Sequence, residues 1–100
     1  MKYQVICHQH IFESERYFDQ CHASTVEVLP DGTPVAAWFG GRHEKSPDVA
    51  IWFSRRMGGE WTPPVRVADV EGVPCWNPVL FCDGHRTLLF YTVGKEISRW

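Results

Sequence analysis

One pattern, written twice, constrains this chain more than any other feature: an apolar strand, an Asp-Gly turn, and a second apolar strand. The first copy is Ala23 to Leu29, Pro30-Asp31-Gly32-Thr33, then Val35 to Phe39. The second is Pro78 to Phe81, Cys82-Asp83-Gly84-His85, then Thr87 to Tyr91. In the first turn proline presets one dihedral, and in both the glycine supplies the positive φ that a tight hairpin requires. The two aspartates stand 52 residues apart, close to the roughly 40 to 50 residues of a four-stranded unit repeated around a ring.

Between the copies lies the rest of one such unit. Val35-Ala-Ala-Trp-Phe39 and Val49-Ala-Ile-Trp-Phe53 flank the polar loop Gly40 to Asp48. The run from Val49 to Ser54 is apolar at successive positions, as in a strand covered on both faces. Gly58-Gly59 turns the chain, and Val65 to Ala68 alternates as a strand that Pro64 places at a sheet edge. The expected fold is therefore all-β: antiparallel four-stranded blades of a β-propeller, six-bladed when complete, with about two blades present. Rings need about four to eight blades, so residues 1–100 are expected to form a single partial domain. Residues 1–20 give an N-terminal strand (3–7) and loop (12–20), 21–70 the first blade, and 71–100 the start of the second. The competing fold is a β-sandwich that contains two similar hairpins.

Charge and composition narrow the function. A net charge of -2 and a pI near 6.2 supply no cationic field for nucleic acid or an anionic membrane. No apolar run approaches the roughly 18 to 20 residues of a membrane span, and the first ten residues lack the apolar core of a secretory signal, so a cytoplasmic location is expected. The four cysteines, Cys7, Cys21, Cys75 and Cys82, have no CxxC spacing and read as small buried residues. Cys7, His8 and His10 with Cys21 and His22 match no standard zinc pattern, and neither metal nor cofactor is expected. Five tryptophans suit a β-rich core or a surface on which sugars lie flat.

Ser54-Arg-Arg56-Met-Gly58-Gly-Glu60-Trp61 resembles the Asp-box, or bacterial neuraminidase repeat (BNR), S-x-D-x-G-x-T-W. Ser54, Gly58 and Trp61 match; Arg56 and Glu60 replace the Asp and Thr. Gly41-Arg42, followed by Asp48, resembles the first blade of the sialidase (neuraminidase) family, and Asn77-Pro78-Val79 stands where that family often has Asp-Pro and apolar residues. The resemblance implies an exo-glycoside hydrolase acting on terminal sugars of glycans. Asp48 would be the general acid/base, with Arg42, Asn77, His22 and Trp76 as substrate contacts and Ser54, Gly58 and Trp61 as the structural box. His22 lies where sialidases carry an Arg-Ile-Pro arginine, and a neutral imidazole cannot reproduce that bidentate fork. A polysaccharide lyase-like relative with His22 as base stays open, as does a non-catalytic propeller that binds glycans or proteins through Trp38, Trp52 and Trp76. The isolated fragment is expected to be inactive and to self-associate through the exposed blade surface.

Overall fold

The computed structural model describes residues 4–5, 7–14, 16–43 and 46–95. They form seven antiparallel strands: β1 (Gln20–Val28), β2 (Pro34–Gly41), β3 (Ala50–Met57), β4 (Glu60–Trp61), β5 (Val65–Ala68), β6 (Cys75–Cys82) and β7 (Thr87–Val93). The first sheet runs β1-β2-β3, with β4 and β5 both paired to β3; the second is the β6-β7 hairpin. β4 and β5 together act as one outer strand. It is interrupted at Thr62-Pro63-Pro64, where the prolines lack the N–H that a ladder needs, although Thr62 N–H still reaches the Arg55 carbonyl at 2.8 Å. This is a four-stranded meander beside the opening hairpin of another, the arrangement of propeller blades.

Each Asp-Gly turn closes through its aspartate. Asp31 accepts the Thr33 N–H at 3.0 Å, and Asp83 accepts those of His85 and Arg86, both at 2.9 Å. Gly32 and Gly84 take φ of 88° and 92°, a region where a Cβ is strained. The repeat extends further than the turns. β1 carries a β-bulge between His22 and Thr25, and β6 carries one between Trp76 and Val79; Ala23 and Asn77 sit in these bulges at φ 57° and 46°. The bulges explain two boundaries. β1 begins at Gln20 and β6 at Cys75, ahead of the expected Ala23 and Pro78, because an extra residue in each strand hides the alternation, and Pro78 falls where a missing donor is tolerated.

Side chains alternate about β2. Val35, Ala37 and Phe39 join Val49, Ile51, Cys75, Trp76 and Leu80 in a core between the two sheets. Full burial of each large apolar side chain contributes about 1.5–3 kcal/mol. Ala36 and Trp38 face the other way, where Phe18, Ile11, Phe12, Trp52 and Trp61 cover them. The residues before β1 thus serve as a strap across the outer face, with the Phe18 and Trp52 ring centroids 4.7 Å apart. Of the strand expected over 3–7, Tyr3 and Ile6 lie outside the described residues. Gln4, Val5 and Cys7 are exposed and in no strand, which corrects that expectation: a short alternating run with no neighbour to pair with gains no ladder.

The sheets are also joined by polar side chains. Among the described residues, β6 has a strand on one side only. On its other side Leu80 N–H donates to Thr25 Oγ1 at 3.3 Å and Cys82 N–H to Glu27 Oε2 at 3.1 Å. Thr25 and Glu27 sit two residues apart on β1, as Leu80 and Cys82 do on β6, so one strand's side chains match the other's free donors.

Candidate functional site

The loop between β2 and β3 is organised around Asp48. Its Oδ1 accepts the Ser46 hydroxyl at 2.5 Å and the Arg42 N–H at 3.4 Å, while Oδ2 lies 3.3 Å from Arg42 Nε. Ser46 is fully buried and held from both directions, its N–H on the His43 carbonyl at 3.0 Å and its carbonyl accepting the Val49 N–H at 3.1 Å. Gly41 makes the loop possible: a Cβ there would stand 3.0 Å from Asp48 Oδ1 and 3.1 Å from Val49 Cα. The Asp48 side chain is 44% exposed, enough for a substrate to reach. Its pKa is lowered below the ordinary aspartate value, chiefly by the Ser46 hydroxyl and then by the Arg42 N–H and guanidinium, against partial desolvation. As it stands, Asp48 is held in its ionised form.

Arg42, Pro47 and Asp48 border a cleft of about 300 Å³ whose opposite wall is the β5–β6 connection, with Asp69 and Glu71. Arg66 lies over the Trp52 ring at 5.1 Å and pairs with Asp69 at 3.3 Å. The cleft thus presents alternating charges, each arginine neutralised by a neighbouring aspartate. A larger hollow of about 750 Å³ lies elsewhere, between the strap and the first turn of β1, over Trp38. The smaller cleft is the one that Arg42 and Asp48 border.

The other expected site residues gather at the same end of the sheets without entering that cleft. His22 pairs in register with Phe39, its ring 5.4 Å from the Phe39 ring, and it borders the larger hollow. Asn77 is exposed, and its left-handed backbone, which asparagine tolerates better than most residues, accounts for its identity. The start of β6 is tied to the loop by Cys75 N–H donating to the Val49 carbonyl at 3.0 Å. Trp76 must be corrected from substrate contact to core: it is 1% exposed and its indole N–H bonds the Gly94 carbonyl at 2.8 Å. The same burial removes the tryptophan binding surface, since Trp38 is 3% exposed and half-buried Trp52 donates to the Gly40 carbonyl at 3.1 Å.

The Asp-box residues have structural work. Buried Ser54 donates to the Thr62 carbonyl at 2.6 Å, Gly58 and Gly59 turn at φ 61° and 82°, and Trp61 packs on the Phe18, Ala36 and Trp38 cluster. Arg56, in the motif's Asp position, points to the strap, with Nε on Gln9 Oε1 at 3.0 Å and a guanidinium nitrogen 3.5 Å from Cys7 Sγ. Among the described residues no group of three or more His, Cys, Asp or Glu is placed to hold a metal. Reasoning from sequence missed Ser46 and the wall of Asp69 and Glu71. The Ser-Pro-Asp spacing after a double glycine was a usable signal for the first; nothing local marks the second, because its position depends on the second sheet.

The model of the BNR repeat-like domain matches residues 32–100, from the glycine of the first Asp-Gly turn through β2 to β7. No curated protein and no solved structure matches the chain. With well over half of its length matched, and with a four-stranded antiparallel meander beside the opening hairpin of a second, the chain belongs to the BNR repeat-like domain family.

Proposed function

We propose that these residues contribute to a sialidase-like exo-glycoside hydrolase acting on terminal sugars of glycans, with Asp48 as general acid/base. The observation that carries the reading is the presentation of Asp48: one oxygen anchored in the loop and the other at the cleft beside Arg42. Protonating a glycosidic oxygen requires a carboxyl whose pKa rises in the complex. A sugar that draws Arg42 away from Oδ2 and excludes water has that effect, because it removes a positive neighbour and desolvates the carboxylate. Arg42 is then free to bond the sugar, with Asn77 and His22 as further contacts at the same end of the blades.

The test is hydrolysis of a fluorogenic sialoside, beside a panel of other glycosides, by protein from the complete reading frame that contains these residues. Turnover is expected, and Asp48→Asn should lower kcat by about 10²–10⁴-fold, the usual weight of general acid/base catalysis. Wild-type kcat in that variant, or silence across the panel, would overturn the reading. Activity on a non-sialoside alone would move the substrate, with His22 replacing the arginine that a sialic acid carboxylate requires.

A further inference from the structure

We propose that Ser46 is the positioning residue of this site: its buried hydroxyl fixes Asp48 Oδ1 in the loop and leaves Oδ2, beside Arg42, as the oxygen that exchanges protons. The inference rests on Asp48 being the acid/base group. A carboxylate has two chemically equal oxygens, and free rotation would offer either to a substrate. Here three contacts remove that equality: the Ser46 hydroxyl at 2.5 Å, the Arg42 N–H at 3.4 Å, and the wall of Gly41 and Val49, where even a Cβ on Gly41 would stand 3.0 Å from Oδ1.

Ser46 can serve as a fixed reference because it does not move independently of the sheets. It has no exposed surface, and its main chain bonds His43 behind and Val49 ahead. Val49 in turn accepts the Cys75 N–H of β6 at 3.0 Å, so the hydroxyl is referenced to both blades. A hydrogen bond to an ionised acceptor is about twice as strong as one between neutral groups, and this one favours the carboxylate over the acid. Among the described residues, the charged groups lining the cleft with Asp48 are Arg42 on its own loop and Arg66, Asp69 and Glu71 across it. Arg66 is taken up by Asp69, which leaves Ser46 and Arg42 as the groups that hold the proton off.

The experiment is the titration of the Asp48 carboxyl by carbon NMR in the full chain, assigned with Asp48→Asn, in wild type and in Ser46→Ala. The wild-type midpoint should lie below that of an ordinary aspartate, and Ser46→Ala should shift it upward while the amide spectrum stays folded. In the hydrolysing protein Asp48 must carry its proton to act as the acid, so the alkaline limb of kcat/KM should move upward by the same amount, which a merely structural loss would not produce. Ser46→Cys, near-isosteric with a weaker donor, should shift the midpoint in the same direction and serves if the alanine variant does not fold. An unchanged midpoint in a folded Ser46 variant would overturn the assignment. A shifted midpoint in a protein that hydrolyses nothing would support the role of Ser46 and overturn the hydrolase reading instead.

Discussion

Adding one methyl group at Gly41 tests how tightly the site loop is built. The backbone of Gly41 does not have the positive φ seen at Gly32, Gly58, Gly59, Gly72 and Gly84, so alanine meets no conformational strain there. On that ground alone Gly41→Ala would stabilise the protein by about 0.4–1 kcal/mol, by restricting the unfolded chain. Opposing this, the new Cβ would lie 3.0 Å from Asp48 Oδ1, 3.1 Å from Val49 Cα and 3.1 Å from Val49 Cγ2. Val49 cannot retreat cheaply. It is 1% exposed, and its N–H and carbonyl are bonded to Ser46 and Cys75. Overpacking a well-filled site costs about 1–3 kcal/mol, so the net expectation is a loss of about 1–2 kcal/mol. Gly40→Ala is the companion test, because its Cβ would meet the Phe18 ring at 3.1 Å and Cys21 Cβ at 3.4 Å, and Phe18 is itself buried, so a loss is expected there too. Urea unfolding of both variants, fitted with a common m-value, gives the two numbers. A Gly41→Ala protein as stable as wild type would refute the close approach, and with it the account of how Asp48 is held.

Three further outcomes follow from the same geometry. Ser54→Ala leaves the Thr62 carbonyl without its 2.6 Å donor in a buried place, and should cost about 1–3 kcal/mol in the same urea assay. Trp76→Phe removes the 2.8 Å bond to the Gly94 carbonyl and should lower stability by a similar amount. If Trp76 instead faced a substrate, that variant would change sugar binding and leave the unfolding midpoint alone. Asp48, Asp31, Asp83 and Glu27 all have lowered folded-state pKa values, from ordinary values of 3.8 for the aspartates and 4.5 for the glutamate. A lowered carboxyl pKa contributes stability that is complete above the unfolded value and is lost as pH falls through the folded value. Thermal midpoints should therefore be flat near neutrality and fall below about pH 4.5, with a shallower fall in Asp48→Asn.

The fold was legible where turn chemistry and alternation agree. The two Asp-Gly hairpins declared themselves because glycine and aspartate have strong local reasons to stand where they do, and the apolar runs of β2 and β3 required cover on both faces. The bulges were hidden, since Ala23 at φ 57° has no local motive for left-handed backbone and is held there by pairing. Arg42 and Asp48 were visible as a pair because a short loop brings them together. The roles of Trp76 and the β5–β6 connection were not, because burial and cleft walls depend on how two sheets meet, and no window of sequence records that.

The way β6 is finished on its open side matters for how such proteins grow. An unpaired strand edge invites another strand, from the same molecule or a different one, and pairing once begun has no natural stop. Here two donors of that edge end on a threonine hydroxyl and a glutamate carboxylate, acceptors that cannot pass the ladder onward. At these two positions the joint between units is closed by side chains, while the Cys75 N–H bond to the Val49 carbonyl ties it through the main chain. Removing either acceptor, as Thr25→Ala does, leaves a donor on β6 without its side-chain partner while each sheet keeps its own ladder.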